Sequence, residues 1–159
     1  MKRLLSSGLV FLGGFVGAPA PISLCEMMQQ QPPPDFRNDP RGEALRNFFV
    51  KMDCPARAYV EEFLIAADHY HLDWRLLPSI SFVESTGGKV ARNNNFFGWQ
   101  SGKAHFDSPQ AGIHSVGYQL SHSSLYRQKG TDAILATYNP NHQYGAAVKS
   151  VMRRIAPWQ

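Results

Sequence analysis

Apolar residues recur at helical spacing through most of the chain from Arg41 onward. Ala44, Leu45, Phe48 and Phe49 fall on one face of a helix that stops near Asp53. Asp53-Cys54-Pro55 marks a fresh start, since proline is tolerated in a first turn. Tyr59, Val60, Phe63, Leu64 and Ala67 carry that next helix to about Tyr70. In a third segment Trp74, Leu77, Ile80 and Phe82–Val83 form one wide stripe, with Asp73 as its N-cap and Thr86-Gly87-Gly88 as its break. Ser108-Pro109 opens a fourth helix through Ile113, Val116, Tyr118 and Leu120 to about Ser123. Thr131-Asp132 caps a short one through Ala133–Ala136. It stops at Tyr138-Asn139-Pro140, because proline disfavours a helical residue before it. Tyr144, Ala147, Val148, Val151, Met152 and Ile155 line a last helix that ends before Pro157. The pattern predicts an all-α domain, α+β at most through one small irregular hairpin lobe.

That lobe is residues 87–107, where the periodicity fails. It holds glycines, the run Asn93-Asn94-Asn95 and the aromatic cluster Phe96, Phe97 and Trp99, and reads as a loop or short irregular hairpin. The asparagines are either turn formers that tolerate left-handed backbone or donors to acetamido groups. The aromatics are either core or a stacking platform for sugar rings, with Trp99 the better platform.

The third helix ends in a carboxylate, Glu84, placed where the helix macrodipole disfavours an anion. Phe82 and Val83 flank it and the amide-rich loop follows, so it is poorly solvated as well. Both effects favour the protonated form, which is what protonation of a glycosidic oxygen requires. The bland alternative is a solvated carboxylate at a helix end. Ser85 lacks a Gly-x-Ser-x-Gly setting, which argues against a nucleophilic serine.

Residues 1–25 change the picture of where the domain works. Lys2 and Arg3 precede the apolar run from Leu4 to Val16, and Gly17-Ala18-Pro19-Ala20 follows. This has the form of a secretory signal, or of an uncleaved N-terminal anchor. Residues 26–40 (EMMQQQPPPDFRNDP) are rich in Gln and Pro and read as an extended linker, leaving 41–159 as the catalytic domain. The 159 residues are 43% hydrophobic, enough for one core, and a formal charge of +4 suits an anionic partner. No basic run longer than Arg153-Arg154 occurs, which argues against nucleic acid. Cys25 and Cys54 are the two cysteines; they pair in an oxidising compartment or stay as two thiols. His69 and His71 stand two apart and so do not face one another on a helix, with no further ligand at metal spacing. No metal and no cofactor are expected.

Taken together, Ile80-Ser81-Phe82-Val83-Glu84-Ser85, then Asn94-Asn95-Phe96-Phe97-Gly98-Trp99, Phe106, Ile113 and Tyr138-Asn139-Pro140 before a closing helix resemble the lysozyme-like superfamily. Its relatives include lytic transglycosylases and the endo-β-N-acetylglucosaminidases of bacterial cell walls. The resemblance covers Leu72 to Ile155. It implies a lysozyme-like fold, with Glu84 as the catalytic acid and Ser85 as a serine that helps position substrate. Asn94, Phe97, Gly98 and Trp99 match a segment that shapes the substrate groove. Tyr138 matches the tyrosine of the Tyr-Asn motif close to the acid, and Asn139 the asparagine beside it.

Hydrolases that use two carboxylates hold them about 5 to 9.5 Å apart. Here no Asp or Glu lies between Glu84 and Asp107; the lobe offers Lys89, Arg92 and Lys103 instead. That favours a single acid, with the substrate's own N-acetyl group or 6-hydroxyl attacking the anomeric carbon. Asp107 and Asp132 are reserve candidates, each beside a helix start where capping explains it. The expectation is a secreted or periplasmic glycosidase acting on peptidoglycan glycan strands at the β-1,4 bonds between N-acetylmuramic acid and N-acetylglucosamine. Its rivals are a non-catalytic glycan-binding module and an envelope-assembly protein.

Overall fold

Asp39 accepts the N–H of Arg41 at 2.8 Å and Pro40 takes the first helical position, which together start helix α1, Pro40–Lys51. The computed structural model describes residues 35–157. The expected leader or anchor, Cys25 and most of the expected linker lie outside the described residues. The linker expectation is corrected at its far end: Phe36 is buried in the core, so packing begins before residue 41.

The expected second helix is two elements, a 3-10 turn at Pro55–Tyr59 and α2 at Val60–Tyr70. The N–H of Ala56, a first-turn donor with no partner inside the helix, is met by the carbonyl of Gly87 at 2.9 Å. Helix α3 spans Leu76–Ser85, and here Asp73 is not the N-cap. Its carboxylate accepts the N–H of Arg75 at 2.9 Å and its carbonyl accepts that of Leu76 at 2.8 Å, so Asp73-Trp74-Arg75 forms a turn ahead of the helix. Trp74 consequently sits half-buried beside the stripe rather than in it. Helices α4, Pro109–His122, α5, Thr131–Tyr138, and α6, His142–Ile155, lie where the periodicity puts them. Among the described residues the fold is all-α; the lobe contains one isolated bridge, Arg92 to Asn95, and no strand.

Helix α2 packs along α4, and α3 along α6. Phe49, Phe63, Leu64, Leu77, Ile80, Ile113, Val148 and Met152 are fully buried between them. Each such side chain contributes on the order of 2 kcal/mol. The segment just after α6 is tied down by Arg75. Its buried guanidinium grips Asp73 at 2.7 Å and donates to the carbonyls of Ala156 and Pro157 at 3.0 and 3.3 Å, so the entry to α3 holds the exit of α6. No helix among the described residues is long and apolar enough to cross a membrane.

Candidate active site

Helix α3 ends in a left-handed cap. The N–H of Thr86 returns to the carbonyl of Phe82 at 2.9 Å and that of Gly87 to Ser81 at 3.1 Å. Thr86 takes the left-handed position, with φ +53°, that glycine usually fills. Gly87, also left-handed, lies so close to Cys54 that a Cβ there would meet the Cys54 Cβ at 2.8 Å. The chain therefore leaves the helix abruptly and folds back over it.

Ser85 fastens the fold-back. Its hydroxyl donates to the carbonyl of Phe96 at 2.7 Å, has the Ser81 carbonyl at 3.0 Å and accepts the N–H of Gly88 at 3.0 Å. It is buried and its hydrogen-bonding capacity is spent on backbone. Its hydroxyl latches the lobe, while the residue itself borders the recess that holds Glu84.

The asparagines act in the same way. Asn94, with φ +56°, donates from Nδ2 to the carbonyl of Phe106 at 2.9 Å. Asn95 is buried and clamps Trp99 at both ends, accepting its N–H at 2.9 Å and donating to its carbonyl at 3.0 Å. The turn-forming reading accounts for both contacts. Phe96 and Phe97 are core, and Phe97 is fully buried against Phe63 with ring centroids 6.5 Å apart. Phe97 therefore cannot touch a sugar with its ring. Its carbonyl instead accepts the hydroxyl of Tyr138, which pins the lobe to the end of α5.

Of the predicted residues, Glu84 and Ser85 line one recess and Trp99 and Tyr138 another. Glu84 lines a small recess of about 170 Å³ with Ser85, Val90, Ala91, Arg92, Asn95, Gly98 and Gly102. Trp99 lines a larger one of about 450 Å³ with Gln100, Ser101, Gln119, Tyr126 and Tyr138. Gly98 borders both, so the two recesses meet at its backbone. The larger one has an aromatic wall: the ring of Trp99 stands 5.6 Å from that of Tyr138 and 6.2 Å from that of Tyr126. Gly98, with φ +59°, is the position where a side chain is excluded. A Cβ there would stand 2.6 Å from Glu84 Oε2.

Burial raises the Glu84 carboxyl above the usual carboxylate range, opposed by the hydroxyl of Tyr144, which favours the charged form. Burial first, and then the neighbouring Glu84, hold the Tyr138 hydroxyl protonated at any physiological pH. The Tyr144 hydroxyl is held protonated in the same way, by burial foremost. Tyr138 and Tyr144 lie parallel, with centroids 5.8 Å apart. Tyr144 was legible in the sequence only as an apolar position of the last helix. What hides its role is that the contact to Glu84 joins α6 to α3, sixty residues apart in the chain.

Asn139 lies elsewhere. Its Oδ1 accepts the N–H of Asn141 at 3.0 Å, and it lines a separate recess with Asp132, Pro140 and Lys149, so the expected substrate contact is not made at the Glu84 recess. Asp132 pairs with Lys149 at 2.9 Å, and neither it nor Asp107 borders either of the two recesses that meet at Gly98. Arg92 is the charged residue that shares the Glu84 recess. Cys54 is a buried free thiol, raised by burial, and its proposed partner Cys25 is outside the described residues. Among the described residues no cluster of His, Cys, Asp or Glu could hold a metal ion. Chemically, the arrangement offers one carboxyl whose affinity for its proton is raised by burial, a cation in the same recess and an adjoining aromatic recess large enough for a sugar ring. Comparisons with protein-family models, curated proteins and solved structures find no match to this chain.

Proposed function

We propose that this chain is a peptidoglycan glycosidase of lysozyme-like fold that cleaves β-1,4 bonds between N-acetylmuramic acid and N-acetylglucosamine, with Glu84 as its general acid. The observation that carries the reading is the half-buried Glu84, its pKa raised by burial, beside a recess walled by Trp99, Tyr126 and Tyr138. Glu84 donates its proton to the glycosidic oxygen as the C–O bond breaks, and the aromatic wall takes the apolar face of a sugar ring. The recess supplies no second carboxylate, so the anomeric carbon is attacked by the substrate's own N-acetyl group or 6-hydroxyl. In the transglycosylase course, Glu84 then takes the 6-hydroxyl proton back and a 1,6-anhydro sugar results. Arg92, in the same recess, suits the anionic character of the wall polymer. The apolar leader at residues 4–16 suits a secreted or periplasmic site of action.

Digestion of purified sacculi, with the products analysed by mass spectrometry, tests the reading. The native chain releases muropeptides and Glu84→Gln loses at least about 100-fold of that activity, the scale of a general acid's contribution. Anhydro-muramic, reducing-muramic and reducing-glucosamine ends distinguish the three courses of reaction. The reading is abandoned if both chains leave sacculi intact, or if both digest them equally. Sacculus binding without turnover by both would leave a glycan-binding module on the same fold.

A further inference from the structure

A recess apart from the two that meet at Gly98 lies between α1 and the end of α6, and it shares no residue with either of them. It encloses about 360 Å³. Phe48, Met52 and Ile155 give it an apolar floor, and the exposed Asn47, Lys51 and Arg154 give it a polar rim that contains no carboxylate. Neighbouring cations are paired. Asp53, two positions from Lys51, is taken by Arg57 at 3.0 Å and by Lys89 at 3.7 Å. Lys51 and Arg154 have no carboxylate within ion-pair distance among the described residues.

Arg154 is exposed, yet its position is fixed. Its guanidinium stands 5.3 Å from the ring centre of Phe48 and 5.6 Å from that of Phe82, two rings set edge to face at 5.2 Å. Its Nη2 also reaches the sulfur of Met52 at 3.0 Å. The ring contacts spend none of its N–H groups and a thioether is a weak acceptor, so the fork keeps most of its donors. Lys51 and Arg154 both stand in the last turn of a helix, where the macrodipole favours a cation. That accounts for the sign of the charge, and a loose lysine would meet the need equally well. It does not account for a planar guanidinium held on two rings at the edge of a recess.

We propose that this recess binds the phosphoryl group of a small phosphate ester, with the organic stem of the ester against Phe48, Met52 and Ile155. The Arg154 fork takes two phosphoryl oxygens side by side, and Lys51 adds a point charge to the same group. Two cations match the charge of a phosphate ester, about two negative charges near neutral pH. A carboxylate, singly charged, would leave one of the cations unmatched. Asn47, whose amide has no partner among the described residues, supplies a further donor. Because the rings already hold the guanidinium, little of its side-chain freedom is lost on binding. The site is independent of the glycosidase reading, since no residue of the Glu84 recess takes part in it.

The test is a titration of the full chain, labelled with ¹⁵N in arginine, with glycerol phosphate at an ionic strength held constant by sodium chloride. Read by NMR, the Arg154 Nε–Hε resonance is expected to shift to saturation while other exposed arginines, Arg57 and Arg127 among them, stay in place. By calorimetry, Arg154→Gln and Lys51→Gln are each expected to weaken binding at least about tenfold, the size of a hydrogen bond to a charged group. Arg154→Lys keeps the charge but loses the fork, and is expected to lose about as much. An unchanged affinity in that variant would reduce the recess to a diffuse positive surface and overturn the proposal. A shift that never saturates, or one shared by all exposed arginines, does the same. Acetate that competes as well as glycerol phosphate would overturn the phosphoryl assignment. So would vesicles of phosphatidylglycerol that bind the chain while glycerol phosphate does not, since a membrane-facing surface would then explain the charge. The native titration decides the matter even if Arg154→Gln fails to fold.

Discussion

The helices and the lobe from Thr86 to Phe106 are held together by different means. Between the helices, shape is set by many interchangeable apolar contacts around Phe49, Phe63, Leu77, Ile80 and Met152, all fully buried. In the lobe it is set by a few directed hydrogen bonds, from Ser85 to Phe96 and Gly88, from Asn94 to Phe106, from Asn95 to Trp99 and from Tyr138 to Phe97. Left-handed backbone at Thr86, Gly87, Gly88, Asn93, Asn94, Gly98, Gln100, Ser101 and Gly102 supplies the bends. The contrast explains the division of labour. Helix α3 delivers Glu84 on a rigid base, and the lobe builds the walls around it, so a change in the first threatens the fold while a change in the second threatens the site.

The largest effect expected from breaking this contrast lies in the core. Phe63→Ala removes a ring packed between Phe49 and Phe97 and should cost about 3–5 kcal/mol in urea denaturation, enough to unfold much of the domain. Next is Gly98→Ala, which asks alanine to adopt φ +59° and drives a methyl into the Glu84 carboxyl. It should destabilise by only about 1–2 kcal/mol, yet reduce sacculus digestion roughly 100-fold, because the acid is displaced by about an ångström. An equal loss in fold and activity would show that the lobe is no more separable than the core.

Smaller again is Ser85→Ala. It frees the Gly88 N–H and the Phe96 carbonyl and should cost about 1–3 kcal/mol. Amide exchange should quicken across residues 86–106 and stay unchanged in α1 and α2; quickening throughout would mean that the latch belongs to the global fold.

The gentlest probe is pH. Glu84 has a folded pKa raised by burial, so the folded state binds its proton more tightly than the unfolded chain does. Its contribution is greatest below the ordinary carboxylate pKa and falls as pH rises through the raised folded value. Thermal melting of Glu84→Gln against the native chain should therefore show the variant gaining ground as pH rises through that window. A gap that is constant with pH would mean that Glu84 is not held in its protonated form by burial.

Helices α1 and α4 to α6 are legible from apolar spacing, and α4 also from its cap, because those signals are local: Ser108 accepts the N–H of Ala111, whereas the short helix has Gly130 at its N-cap with no side-chain cap, not the expected Thr131-Asp132 cap. The same locality explains what was misplaced. Asp73 carries the mark of an N-cap but spends it on a turn, since Arg75 is needed at the segment after α6 that it grips. Glu84 as a shielded carboxyl could be argued from its neighbours Phe82 and Val83, whereas Ser85, Phe97 and Asn139, expected as ligand contacts, are engaged in the latch at the edge of the Glu84 recess, in the core and at a different recess.

The sequence by itself determined the helical architecture, the place where periodicity fails and the carboxylate at that break, because each depends on residues within a turn or two of one another. Only the tertiary structure decided which polar groups near the break are already satisfied and which remain free. A hydroxyl's fate is settled by whichever donor or acceptor the packed helices bring within about 3 Å of it. For Tyr138 that is a backbone carbonyl from the lobe, whereas the buried hydroxyl of Tyr144 is left without such a partner among the described residues.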